Sequence, residues 1–102
     1  MLEDRQAQDI VLLDVRDVTL LADYFIICHG TSERQIRALS NGVSRQLKSE
    51  VGRPLAIEGE ARGGWVLIDY GDVIVHIFAS QTRELYDLEG FWQEAKTVVR
   101  IQ

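Results

Sequence analysis

Gly63-Gly64-Trp65-Val66-Leu67-Ile68-Asp69-Tyr70-Gly71-Asp72-Val73-Ile74-Val75-His76-Ile77-Phe78 is the stretch that decides the fold. It reads as two strands, Trp65–Tyr70 and Val73–Phe78, joined by a tight turn at Gly71-Asp72. Side chains alternate across a strand. Trp65, Leu67 and Asp69 therefore share one face of the first strand, and Ile74, His76 and Phe78 share one face of the second. A hairpin this apolar needs cover on at least one face. One that also carries Trp, Asp, Tyr and His has groups to spare for a partner.

Upstream, Ile10–Val15 is an apolar run broken only by Asp14, and Tyr24–Cys28 is another. Both read as buried strands. His29-Gly30-Thr31 turns the chain into a helix. Ser32 and Gln35 fit a capping box, and Glu33 favours the positive helix end. Ile36, Leu39, Val43 and Leu47 form one apolar stripe. Gly42 costs about 1 kcal/mol against Ala in mid-helix, which points to close packing there. Gly52 ends the helix, and Arg53-Pro54 confirms the stop. Leu55–Glu58 reads as a short strand near an edge because Pro54 opens it. Glu60–Gly64 is a loop.

Downstream, Ser80–Leu85 reads as a helical turn. Leu88, Phe91, Ala95 and Val98 are spaced as an amphipathic helix, with Asp87 as its N-cap. Residues 1–9 are polar and helix-compatible. The order implies a single domain over residues 1–102, a compact α/β or α+β fold with a mixed sheet of about five strands and packed helices.

A chain of 102 residues has room for one core. No apolar run approaches the roughly 20 residues that span a bilayer, so no membrane association is expected. No signal peptide is read at the start. The lone cysteine, Cys28, has no internal disulfide partner, so a reducing, cytoplasmic setting is the expectation. It reads as a buried structural thiol rather than a reactive one.

Net charge is −5, and its distribution matters more than its size. Residues 58–89 carry seven carboxylates against Arg62 and Arg83, so this segment alone sums to −5. Residues 1–57 sum to −1 and residues 90–102 to +1. Phosphate binding requires clustered Lys and Arg, so nucleic acid is not expected as the main contact. The acidity suits either steering toward a basic protein surface or an ordinary solvated face.

Catalytic motifs are weak. His29 and His76 are far apart and no Cys-x-x-Cys exists, so neither metal nor cofactor is expected. Gly30-Thr31-Ser32 before a helix, with Glu58 and Glu60, faintly mimics a nucleotidyltransferase site. Glu60 falls in the glycine loop, where ligand geometry is loose, and Ser32 is better employed as a cap. Ser32, His76 and Asp69 lack a nucleophile elbow. An enzyme is therefore not expected. Recognition remains. Trp65, Tyr70, Phe78, Tyr86, Phe91 and Trp92 concentrate the aromatics in the C-terminal half. Such side chains anchor interfaces, although Phe78, Phe91 and one tryptophan read as core. The sheet face away from the helices is the natural partner surface.

Three segments together resemble the ribosomal silencing factor (Iojap) family. They are Asp23-Tyr24-Phe25-Ile26-Ile27-Cys28-His29-Gly30-Thr31-Ser32-Glu33-Arg34-Gln35, the hairpin from Gly64 to Phe78, and Arg83-Glu84-Leu85-Tyr86-Asp87-Leu88-Glu89-Gly90-Phe91-Trp92. The resemblance covers about residues 9–95. It implies a nucleotidyltransferase-like fold without catalysis. It also implies binding to the fourteenth protein of the large ribosomal subunit, which blocks joining with the small subunit and represses translation under nutrient limitation. Organellar relatives act instead in large-subunit assembly, and homodimers are common. Carried over by position, the ribosomal-protein contacts fall on Trp65, Leu67, Asp69, Tyr70, His76 and Arg83, with Tyr86 and Asp87 beside them. The chain departs from the family pattern at His29, where a small residue is common, and in a shorter opening helix.

Overall fold

The computed structural model describes residues 7–91 and 94–101. Readings that concern residues 1–6, Trp92 or the side chain of Phe91 lie outside the described residues. The elements in order are β1 (Gln8–Asp14), β2 (Tyr24–Gly30), α1 (Glu33–Val51), β3 (Ala56–Glu60), a 3-10 turn (Ala61–Gly63), β4 (Trp65–Asp69), β5 (Val73–Ala79), α2 (Ser80–Tyr86), α3 (Leu88–Phe91) and β6 (Lys96–Ile101). The strands form one six-stranded mixed sheet in the order β3-β4-β5-β2-β1-β6. Only β2 and β5 run parallel; the other four pairings are antiparallel.

The sheet buries both faces, as the apolar runs of β2 and β5 require. On one side Ile36, Leu39 and Val43 of α1 pack on Cys28, Val66, Ile68, Val75 and Ile77. On the other side Val11, Leu13, Phe25, Ile27, Ile74 and Phe78 cluster, with Trp65, Leu67, Leu88 and Ala95 packed against them. Each fully buried Val, Leu, Ile or Phe among them contributes about 1.5–3 kcal/mol.

Helix α1 starts as its sequence requires. The Ser32 hydroxyl accepts from the Gln35 N–H at 3.1 Å. The Gln35 side chain reaches back one residue further than a capping box would, to the Thr31 N–H at 2.6 Å. At the other end Gly52 takes φ 82 and its N–H bonds the Lys48 carbonyl. Gly42 is buried, in keeping with the close packing expected there.

The C-terminal region differs from the expectation. The amphipathic helix from Leu88 stops at Phe91, and the chain continues as β6, a sixth strand along β1. The three- and four-residue spacing that includes Val98 is real but accidental. Thr97, Val98, Val99 and Ile101 are β-branched, which favours a strand once an edge is offered. That edge is β1, nearly ninety positions away in sequence, and local periodicity cannot register it.

Candidate interaction surface

Trp65 opens β4 and stands directly opposite Phe78 of β5 and Glu60 of β3. Its ring centroid lies 5.0 Å from that of Phe78 and 4.6 Å from that of Tyr86 in α2. Its indole N–H donates to Nδ1 of His76 at 3.2 Å. The indole is thus fixed on several sides while remaining partly exposed. Leu67, two residues on and also partly exposed, continues the same face.

Helix α2 is held where it can deliver Tyr86. The Thr82 hydroxyl donates to the Gly64 carbonyl and accepts from the Ala79 N–H, tying the start of α2 to the start of β4. Gly64 sits at φ 80, and a Cβ there would meet Thr82 Cγ2 at 2.9 Å. Tyr86 itself is about half exposed.

Two of the carried-over contact residues are buried. His76 is 4% exposed and Arg83 7%. His76 lies edge-on to Phe25 at 4.9 Å, and its Nε2 has no hydrogen-bond partner among the described residues. Burial pulls its pKa down to about 4. Arg83 grips Glu89 with two hydrogen bonds of 3.0 and 3.1 Å. It also donates to the Asp9 carbonyl at 2.7 Å and to Nδ1 of His29 at 2.8 Å. An arginine can only donate, so His29 is neutral in this arrangement. The His29 pKa is held down by burial and then by the Arg83 charge. Asp9, at φ 44, turns its carbonyl to Arg83 and its carboxylate to Arg100, which it binds through two bonds of 3.0 and 2.8 Å. This network joins α2, α3, β1, β2 and β6.

The remaining residues divide. Asp69 is on the Trp65 side of β4, and its carboxylate accepts from the Gly71 N–H at 2.7 Å, so it shapes the hairpin turn. Tyr70 packs against the α1 side of the sheet, on the opposite face from Trp65. Asp87 takes φ 44 at the end of α2 and accepts from the Gly90 N–H at 3.1 Å, so it caps α3 as expected. Trp65, Leu67 and Tyr86 thus form one exposed surface, with His76 beneath it and Arg83 holding its edge.

In the sequence Glu58 reads as half of a loose carboxylate pair. It stands opposite Leu67 in the register, on the Trp65 face. Glu58, Gly59, Trp65 and Leu67 line a pocket of about 230 Å³. Glu60 instead lines a groove on the α1 side, with Arg37 and Arg62. The two carboxylates do not converge, and among the described residues no group of His, Cys, Asp and Glu could hold a metal. The Thr31 N–H and the Ser32 hydroxyl are engaged with Gln35, which leaves little of the helix start for a phosphate.

The family model described as ribosomal silencing factor during starvation matches residues 1–102. The chain is 38% identical over 96 residues to the ribosomal silencing factor of Halalkalibacterium halodurans, covering 94% of this chain and 82% of that protein. It is 32% identical over 95 residues to the mouse mitochondrial assembly of ribosomal large subunit protein 1, covering 90% of this chain and 42% of that one. A crystal structure of a Chromobacterium violaceum protein superposes with a TM-score of 0.85 at 40% identity, covering 90% of this chain and 77% of the other.

Proposed function

The chain belongs to the ribosomal silencing factor family, and on that premise we propose that it is a translational silencer rather than an enzyme. In this reading it binds the large ribosomal subunit through the fourteenth ribosomal protein and sterically blocks joining with the small subunit. Translation then falls under nutrient limitation. The setting is the cytoplasm, and no cofactor is required.

The observation that carries this reading is the Trp65 surface. An indole pinned by Phe78, Tyr86 and His76 is pre-organised, so little entropy is lost when a partner covers it. Trp and Tyr are the side chains that most often anchor interfaces. The surrounding acidity suits a basic ribosomal protein and raises the association rate. His76 and Arg83, being buried, serve this surface by positioning Trp65 and Tyr86 rather than by touching the partner. Homodimerisation belongs to the same reading: β6 is an exposed edge strand carrying Val98, Val99 and Ile101. Light scattering of mixed large and small subunits tests the function. The added protein should reduce joining in proportion to its occupancy of large subunits; undiminished joining at saturation contradicts it.

A second reading, a large-subunit assembly factor using the same surface, is favoured by the name of the mouse relative. Immature large subunits accumulating in a deletion strain would support it, and normal subunit profiles would remove it.

A further inference from the structure

The pocket between β3 and β4 has walls of unlike character. Trp65 and Leu67 supply an aromatic and an aliphatic surface, Gly59 supplies bare backbone, and Glu58 supplies a carboxylate. The volume of about 230 Å³ suits one long side chain rather than a cofactor.

Among the described residues Glu58 is the one carboxylate that lines this pocket, and it is unpaired, whereas other carboxylates of the fold are engaged. Asp9, Asp14, Glu33 and Glu89 are all ion-paired. Asp69 and Asp87 each accept a backbone N–H. Glu58 is exposed and makes no ion pair or hydrogen bond among the described residues. Within residues 58–89 the only cations are Arg62 and Arg83. Arg83 is consumed by Glu89, Asp9 and His29, and Arg62 lines the groove on the α1 side. The pocket therefore has a negative end with no cation of its own, beside an indole whose orientation is fixed.

We propose that Glu58, Trp65 and Leu67 form a receptacle for one basic side chain of the ribosomal partner, with Glu58 as the residue that selects for its charge. The proposal rests on the functional reading above and names the chemistry of the contact. The aliphatic stem of the incoming lysine or arginine lies along Leu67 and Trp65. Its cationic head meets the indole face and the Glu58 carboxylate, a charge-assisted contact reinforced by cation–π attraction. An apolar side chain would leave Glu58 desolvated without a partner, and an acidic one would be repelled. The partner is thereby discriminated by charge as well as by shape.

The test is cosedimentation of the full chain with isolated large subunits, comparing Glu58→Gln with Glu50→Gln, an exposed control at the end of α1. Glu58→Gln keeps the size and removes the charge. It should weaken binding about tenfold and flatten its dependence on potassium chloride, while Glu50→Gln binds as the parent does. The indole N–H resonance of Trp65, followed by NMR, should not move in Glu58→Gln, which separates a lost contact from a disturbed fold. Parent-like binding by Glu58→Gln, with the parent itself bound, overturns the receptacle and leaves the silencing reading standing. Failure of the parent to bind large subunits overturns both.

Discussion

The indole N–H of Trp65 donates to Nδ1 of His76 at 3.2 Å, so the side chain offered to the partner is oriented by one that the partner never meets. The bond requires Nδ1 to be an acceptor. The ring is therefore neutral, with its proton on the buried Nε2. Protonating His76 would set two donors against each other.

That requirement gives a pH dependence with a definite sign. The His76 pKa falls from 6.5 to about 4 through burial. Between those values the unfolded chain takes up a proton that the folded one refuses. Stability is whole above pH 6.5 and falls as the pH drops toward 4, by about 3 kcal/mol at roughly 1.4 kcal/mol per unit. Urea midpoints measured at pH 7, 5.5 and 4.5 should decline. His76→Asn should decline less, retaining the smaller same-signed contribution of His29, whose pKa is also held down. A parent midpoint flat across this window contradicts the buried neutral imidazole.

Gly59→Ala should loosen the outer edge of the same surface. Gly59 sits at φ 82, and a Cβ there would stand 2.2 Å from the Trp65 carbonyl oxygen. Backbone cannot retreat as a flexible side chain can, so β3 must shift away from β4. A loss of about 1–3 kcal/mol is expected from strain alone. Amide hydrogen exchange should rise along β3 and β4 while β1 and β2 stay protected; uniform protection throughout would show that the edge absorbs the methyl.

Arg83→Met removes the charge from a buried cluster and keeps much of the volume. Glu89, the Asp9 carbonyl and His29 Nδ1 each lose a donor. Breaking one side of a buried pair costs about 3–5 kcal/mol. For a domain of this size that lowers Tm by on the order of 15 °C. Calorimetry gives the number, and a fall of only a degree or two would mean that the network contributes little to holding α2.

Cys28 should be chemically silent. It is fully buried against α1, and burial pushes its thiol pKa up to about 12. The thiolate is the reactive form. Iodoacetamide at pH 8 should leave the folded protein unmodified for hours and label it at once in urea. Rapid labelling of the folded state would reveal an opening of β2 that the packing does not suggest.

The parts of the fold legible in the sequence are those encoded locally. The Gly71-Asp72 turn, the alternation from Trp65 to Phe78 and the Ser32 cap each lie within a few residues of what they control. Strand β6 was not legible, because its partner is β1 and its own residues mimic a helical period. Arg83 could be named but not understood. Its partners at positions 9, 29 and 89 come together only through the sheet and the bulge at Asp9. Trp65 and Leu67 could be placed on one face by alternation alone. Tyr86 could not, because a short helix had to be folded back to bring it within 4.6 Å of the indole. Glu58 reads in sequence only as a loose metal ligand beside Glu60; the register sets the two opposite Leu67 and Trp65, yet with Gly59 at φ 82 between them they line different grooves.

The most direct test of the account is cosedimentation of Trp65→Ala and the parent with large subunits, small subunits and joined ribosomes. The parent should pellet with large subunits and with neither of the others. Trp65→Ala should keep its fold and lose at least about 2 kcal/mol of binding, some thirtyfold. A folded Trp65→Ala that binds large subunits as the parent does would place the interface elsewhere and contradict the account.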